Sequence, residues 1–205
     1  SPGRRISHST IGVIGVGRIG TKLIRHLAGG FPGVRILAND IAPDHAFGAA
    51  HGVMWVEKDE IYRTADVVTL HVPLSKATRG LVGARELALM SPSTALINTS
   101  RGGIVDEAAL AEALRAGRLH GAAMDVFEQE PYAGELTGID RCVLTSHMGS
   151  MSADCRAQME REAVDEVLTW GCDEPVRAQR DHDQRRGAES PCLQVGRADS
   201  GQDVL

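Results

Sequence analysis

Three glycines near the start of the chain have the spacing that holds a dinucleotide. Gly15, Gly17 and Gly20 form the pattern G-x-G-x-x-G within IGVIGVGRIGTKLIRHL. In such a pattern the first glycine allows a sharp turn and the second lets the backbone approach a pyrophosphate. The third lets the following helix pack closely on the strand, and the helix N-terminus presents free N–H groups to the phosphates. The alternative interpretation is a plain tight turn.

An acidic residue at a suitable distance favours the dinucleotide. Asp40 lies twenty residues beyond Gly20, at the end of the apolar stretch VRILAND. Its carboxylate would accept hydrogen bonds from the adenosine ribose hydroxyls, and its charge would repel a 2′-phosphate. No arginine follows it closely in DIAPDH. The sequence therefore predicts NAD rather than NADP as the cofactor.

The elements that must position these residues alternate between short apolar runs and amphipathic segments. Strands are predicted over 10–15, 34–39, 67–71, 94–98, 121–124 and 142–145. Helices are predicted over 18–28, 57–64, 83–90, 106–116 and 153–170. Strands that are apolar on both faces and separated by helices indicate βαβ units. The expected fold is therefore α/β, a Rossmann-type doubly wound parallel sheet that forms a cofactor domain only.

The domain organisation follows from the same pattern. Residues 1–9 are a residual linker, and 10–150 form the NAD-binding domain. Residues 151–172 are a C-terminal helix of that domain, in which Met159, Ala163 and Val167 recur every four residues and predict one buried face. The polar segment 173–205 is predicted to be a disordered tail.

Composition excludes several classes of partner. The 205-residue chain has a net charge of −5 and no basic stripe, which argues against nucleic acid. No apolar run approaches the roughly 18 residues that cross a bilayer, which argues against a membrane. The four cysteines form no C-x-x-C pair, so we expect reduced thiols, no metal and a cytoplasmic protein.

Three further segments carry a resemblance to a known family. LHVPLSKATRGLVG, ALINTSRGGIVDEAALAEALRAGRLHGAAMDVFEQEP and VLTSHMGS occur in this order. From about Thr10 to Trp170 the chain resembles the D-isomer-specific 2-hydroxyacid dehydrogenases, and it looks closest to their phosphoglycerate and glycerate types. The family's catalytic residues are an Arg in N-T-x-R-G, a Glu in D-V-F-x-x-E-P and a His in L-T-x-H-x-G. The corresponding residues here are Arg101, Glu130 and His147.

The resemblance implies hydride transfer between NAD(H) and a small 2-hydroxy or 2-keto acid. The guanidinium of Arg101 would hold the carboxylate and carbonyl oxygens of the acid. His147 would supply or remove the proton, and Glu130 would raise the imidazole pKa and fix its tautomer. The alternatives are an arginine at a helix start, a solvated loop carboxylate and a packed loop histidine.

The resemblance also implies a set of cofactor contacts. Besides the glycines and Asp40, they comprise Arg18, Ile19, His71, Val72, Pro73, Thr99, Ser100, Arg101, Asp125, His147 and Gly149. Asp125 matches the family residue that contacts the nicotinamide amide. Because family members often dimerise through this domain, a homodimer is expected as well.

Two other functions remain open beside the dehydrogenase. Family members carry a substrate-binding domain before the glycine pattern, and this sequence begins about ten residues ahead of that pattern. We therefore expect an open site with weak substrate binding and slow or absent turnover. The first alternative is an NAD(H)-binding module without turnover, acting as a sensor or scaffold. The second is an unrelated Rossmann domain, against which NTSRGGIVDE and DVFEQEP argue.

Overall fold

The computed structural model describes residues 5–149 and 151–173. It divides into two compact units, Ser1–Met151 and Ser152–Leu205. The first unit is an α/β domain, and the described part of the second is a helix.

The first unit alternates strands and helices along the chain. The strands are β1 (Thr10–Ile14), β2 (Arg35–Asn39), β3 (Val53–Trp55), β4 (Val67–Leu70), β5 (Ala95–Asn98), β6 (Gly121–Met124) and β7 (Cys142–Leu144). The helices are α1 (Arg18–Gly30), α2 (His45–His51), α3 (Lys58–Thr64), α4 (Ala84–Leu89) and α5 (Glu107–Arg115). Short 3-10 helices span Ile6–His8 and Glu135–Gly138.

All seven strands form one parallel sheet in the order β3-β2-β1-β4-β5-β6-β7. The chain builds outward from β1 in one direction and then returns to continue from β4 in the other. This reversal opens a crevice at the carboxyl ends of β1 and β4, where open α/β sheets bind ligands. The predicted doubly wound parallel sheet is confirmed.

The core lies on both faces of the sheet. On one face Ile24 and Leu27 of α1 pack with Val13 and Ile36. On the other face a larger cluster gathers the buried side chains of α3, α4 and α5. All five residues of β1 are buried, which is the pattern of a central strand covered on both sides.

Each predicted strand and helix begins within one residue of its predicted start. The sequence reading missed α2 and β3, which are seven and three residues long. They are too short to show a period, and a packing contact helps to fix them. A Cβ on Gly48 would lie 2.4 Å from Nε1 of Trp55, so the indole packs directly on the α2 backbone.

The described part of the second unit is α6 (Ala153–Asp173). The prediction that this helix has a buried face is wrong, since Met159 is 52% and Val167 69% exposed. A four-residue period shows that a helix is amphipathic but does not supply an element to cover it. The assignment of this helix to the cofactor domain stays a prediction. The predicted disordered tail lies, beyond Asp173, outside the described residues.

Across the described ranges, the structure contains no helix with the length and apolar character that a membrane crossing requires.

We expect Gly20→Ala to destabilise the domain while Gly29→Ala does not. A Cβ on Gly20 would lie 2.2 Å from the carbonyl oxygen of Gly15, so the backbone must move. The expected loss is about 3 kcal/mol of unfolding free energy. A Cβ on Gly29, in the same helix, meets nothing within 4 Å, and alanine there should add about 0.5 kcal/mol. Urea unfolding measures both values, and equal stability of the two variants would contradict the packing argument.

Candidate functional site

The three glycines of the loop between β1 and α1 meet different constraints. Gly15 has a φ of +92°, and a Cβ there would lie 2.6 Å from the carbonyl oxygen of His71. A Cβ on Gly20 would collide with the Gly15 carbonyl oxygen. A Cβ on Gly17 would meet nothing within 4 Å. The fold therefore requires the first and third glycines. The second borders open space at the N-terminus of α1, and its contact with a pyrophosphate stays a prediction.

Asp40 is joined directly to this loop. Its Oδ2 accepts a hydrogen bond from the Val16 N–H at 2.6 Å, and its Oδ1 accepts one from the Ala42 N–H at 2.9 Å. The carboxylate is half-buried at the end of β2, with the fully exposed side chain of Ile41 beside it. The structure thus brings Asp40 to the glycine loop, and its contact with a ribose stays a prediction.

Arg18 and Ile19 form the first turn of α1. Both side chains are exposed, and Ile19 is 63% accessible to solvent. An isolated exposed isoleucine is ordinary on a protein surface. Their predicted cofactor contacts are compatible with this position and remain predictions.

The segment after β4 lies against the glycine loop from the other side. The backbone N–H of His71 donates to the Ile14 carbonyl at 2.7 Å, and its Nε2 lies 3.0 Å from the Thr69 hydroxyl. Burial lowers the pKa of His71, so the ring is neutral at pH 7. Its buried Nδ1 has no hydrogen-bond partner among the residues that the structure describes. Val72 is half-buried and Pro73 exposed.

A buried asparagine organises the loop that carries Arg101. Asn98, at the end of β5, donates from its side-chain amide to the Arg101 carbonyl at 3.1 Å. Its Oδ1 accepts from the Ser100 N–H at 3.1 Å and from the Ser100 hydroxyl at 2.7 Å. Thr99 is exposed. Sequence reasoning missed Asn98, although a polar residue closing an apolar strand was a signal for it.

The residue after Arg101 sets how close two loops can come. A Cβ on Gly102 would lie 1.8 Å from the carbonyl oxygen of Phe127, so only glycine fits. This contact places Arg101 beside the loop that carries Glu130. The exposed Arg101 guanidinium currently donates from Nη1 to the Ser100 carbonyl at 2.6 Å.

Glu130 and His147 form a hydrogen-bonded pair. The His147 Nδ1 and the Glu130 Oε2 are 3.0 Å apart, while the Glu130 Oε1 accepts from the Phe127 N–H at 3.0 Å. The backbone hydrogen bond from Phe127, followed by the one with His147, holds the pKa of Glu130 below its ordinary value. His147 also has a φ of +53°. A left-handed backbone at a non-glycine residue costs on the order of 1 kcal/mol and is common at functional sites.

Asp125 holds the loop on which His147 stands. Its buried carboxylate accepts hydrogen bonds from the Thr145 hydroxyl and the N–H groups of Met148 and Gly149. Its backbone carbonyl accepts from the His147 N–H at 2.8 Å. Burial alone would raise the pKa of Asp125, but these hydrogen bonds outweigh it and the pKa is lowered. The nicotinamide contact predicted for Asp125 stays a prediction beside this observed role.

Arg101, Glu130 and His147 line a single cleft of about 330 Å³. The structure therefore brings the three predicted catalytic residues together from three different loops. Two residues of the same cleft, Arg79 and Glu128, were not singled out in the sequence. The cleft combines a guanidinium with a carboxylate–imidazole pair, which can bind a carboxylate and exchange a proton.

A parallel sheet with reversed strand order, a glycine loop and an acidic residue after the second strand defines a dinucleotide-binding domain of the Rossmann class. The family model for the NAD-binding domain of D-isomer specific 2-hydroxyacid dehydrogenases matches residues 1–149. The chain belongs to this family, and its cofactor is NAD.

Individual relatives agree with this assignment. The glyoxylate reductase of Thermococcus litoralis is 39% identical over 169 residues, 82% of this chain and 50% of the relative. The D-3-phosphoglycerate dehydrogenase of Methanocaldococcus jannaschii is 38% identical over 149 residues, 72% of this chain and 28% of the relative. The D-lactate dehydrogenase of Aquifex aeolicus, crystallised with NAD and lactic acid, has a TM-score of 0.73 at 29% identity, covering 82% of this chain and 54% of that one. The chain thus spans about half the length or less of these relatives.

We expect Asp125→Asn to remove part of the acid sensitivity of the domain. Because the folded-state pKa of Asp125 is lowered, its contribution to stability is present above the unfolded pKa of about 3.9 and is lost as the pH falls through the folded pKa. The variant should be about 1–3 kcal/mol less stable at pH 7. The difference from the unmutated chain should narrow below about pH 4.

Urea unfolding between pH 7 and pH 3 measures this difference. Asp140→Asn, at an exposed aspartate, is the control and should follow the unmutated chain. A constant stability gap for the Asp125 variant down to pH 3 would contradict the proposed hydrogen-bonding role.

Proposed function

We propose that this chain provides the NAD(H) site and the proton-transfer residues of an NAD-dependent 2-hydroxyacid dehydrogenase. The reaction is hydride transfer between NAD(H) and C2 of a small 2-hydroxy or 2-keto acid. The observation that carries the proposal is the shared cleft of Arg101 and the hydrogen-bonded pair of Glu130 and His147. The cleft lies on loops that follow β5, β6 and β7, at the same edge of the sheet as the glycine loop.

The glycine loop and Asp40 would hold the dinucleotide. The open space at Gly17, beside the positive end of the α1 dipole, suits a pyrophosphate. The half-buried carboxylate of Asp40 suits the adenosine ribose. When bound, the nicotinamide supplies or accepts the hydride, and the residues of this chain orient the reactants and move the proton.

His147 would exchange the proton at the substrate oxygen. Its Nδ1 is hydrogen-bonded to Glu130, which leaves Nε2 to face the substrate. In the reduction direction Nε2 donates a proton to the alkoxide that develops at C2, and in the oxidation direction it accepts one. The carboxylate of Glu130 fixes the tautomer and stabilises the protonated ring.

Arg101 would bind the substrate carboxylate. Its guanidinium is planar and permanently charged, so it can hold a carboxylate and the adjacent carbonyl oxygen with a fork of donors. In the structure its Nη1 donates a hydrogen bond to the Ser100 carbonyl. We infer that the side chain turns from this carbonyl toward the substrate when the acid binds.

The names of the relatives support a small acid as substrate. They include a glyoxylate reductase and a D-3-phosphoglycerate dehydrogenase. We further propose a cytoplasmic location and a homodimer formed through this domain, both supported by the family assignment.

The proposed function predicts turnover. Although the open site should make turnover slow, the purified chain should oxidise NADH with at least one of glyoxylate, hydroxypyruvate, phosphohydroxypyruvate or pyruvate. Arg101→Ala and His147→Asn should each lower kcat/KM by a factor of about 100 or more. Asparagine is chosen because it tolerates the left-handed backbone at 147. Absorbance at 340 nm follows the reaction, with NADH binding measured in parallel.

The outcomes separate the candidate functions. Turnover that both substitutions abolish supports the dehydrogenase. Tight NADH binding without turnover on any acid supports an NAD(H)-binding module instead. No binding of NADH would contradict both.

The proposed function also makes a prediction about Gly17. Gly17→Ala should weaken NADH binding about tenfold or more while changing the unfolding free energy by less than about 1 kcal/mol, since its Cβ meets open space in the protein but would occupy the pyrophosphate position. Fluorescence titration with NADH and urea unfolding test the two halves. Unchanged affinity would show that the dinucleotide does not approach this residue.

A further inference from the structure

The cleft contains a second ion pair that the proposed reaction does not use. Nη1 of Arg79 lies 2.7 Å from Oε1 of Glu128. Both residues line the same cavity as Arg101 and His147. Arg79 comes from the segment after β4 and Glu128 from the segment after β6.

Hydrogen bonds fix the two segments that carry this pair. The Gly80 N–H donates to the Gly103 carbonyl at 2.8 Å, so the segment with Arg79 is fixed beside the arginine loop. A Cβ on Gly103 would lie 3.0 Å from Nη1 of Arg79, so the guanidinium rests on bare backbone. The Glu128 N–H donates to Oε1 of Glu107 at 2.8 Å.

The polar side chains that line the cleft form two hydrogen-bonded pairs beside one further arginine. Glu128 pairs with Arg79, and Glu130 is hydrogen-bonded to His147. Arg101 is the remaining guanidinium among the described lining residues. The carboxylate of a 2-keto acid would form an ion pair with it. A second acidic group on the substrate would therefore meet an already compensated arginine and the carboxylate of Glu128. The repulsion between this second acidic group and the Glu128 carboxylate is unfavourable at short range and is screened by salt.

We propose that the Arg79–Glu128 pair is a specificity determinant that makes the cleft select 2-keto acids with a single negative charge. Glu128 disfavours acids that carry a second carboxylate, phosphate or sulfonate. This inference rests on the proposed function, and it favours substrates of the glyoxylate or hydroxypyruvate kind over phosphorylated ones.

Glu128→Gln tests the proposal directly, because the amide keeps the shape of the side chain and leaves Arg79 uncompensated. Calorimetric titration of the NADH-saturated chain would compare oxamate, a monoanion, with tartronate, a dianion. At low ionic strength tartronate binding should tighten about tenfold, and oxamate binding should change less than twofold. In 0.5 M NaCl the gain should shrink, since the Debye length falls to a few ångströms.

Two further variants test the direction of the charge effect and serve as a control. Arg79→Gln leaves Glu128 unpaired and should weaken tartronate binding. Glu112→Gln removes the carboxylate of another exposed 2.7 Å pair, with Arg118, outside the cleft, and should change neither affinity.

The remaining outcomes overturn the proposal. They are an unchanged ratio of tartronate to oxamate affinity in Glu128→Gln, an equal change with both acids, and no binding of either acid to any NADH-saturated variant. NADH binding by the unmutated chain is measured before any acid is added. Failure of this chain to bind NADH would contradict the proposed function itself.

Discussion

The arrangement of the site depends on the hydrogen bonds of Asp125. Its N–H donates to the Asn98 carbonyl at 3.0 Å and its carbonyl accepts from the His147 N–H, so its backbone joins the ends of β5 and β6 to the loop after β7. Its buried carboxylate then fixes that loop from within. Charge-assisted hydrogen bonds to a buried carboxylate are stronger than neutral ones and leave little freedom of position. The imidazole of His147 can meet Glu130 because this anchor fixes its backbone.

A second constraint brings the arginine to the same place. The Gly102 backbone and the Phe127 carbonyl approach so closely that no side chain fits between them. Parallel strands direct their carboxyl ends to one edge of a sheet, which brings loops near each other but does not set their spacing. Hydrogen bonds at Asp125 and Asn98 and the close contact at Gly102 set it here. The site is thus built by the buried polar residues at the strand ends as much as by the groups that face the cleft.

The sequence predicted the strands, the main helices and the family because each leaves a local signature. Apolar runs mark the central strands, and an N-cap aspartate, Asp106, precedes α5, its carboxylate accepting from the Ala109 N–H. The short elements α2 and β3 escaped because seven and three residues are too few to repeat a helical or a strand pattern twice. Arg79 and Glu128 escaped for another reason. Their significance depends on contacts between residues distant in the chain, 49 positions apart for the ion pair, and a single sequence does not display such contacts.

The loop glycines also bear on how a domain like this one can diverge. Gly15 and Gly20 are enclosed by the protein's own backbone, so any lineage that keeps the fold must keep them. Gly17 faces open space, and only a bound dinucleotide would restrict what replaces it. A descendant that gave up the cofactor could therefore drift at this position and remain well folded. Under the proposed function, the glycine at position 17 is therefore required by the nucleotide and not by the fold.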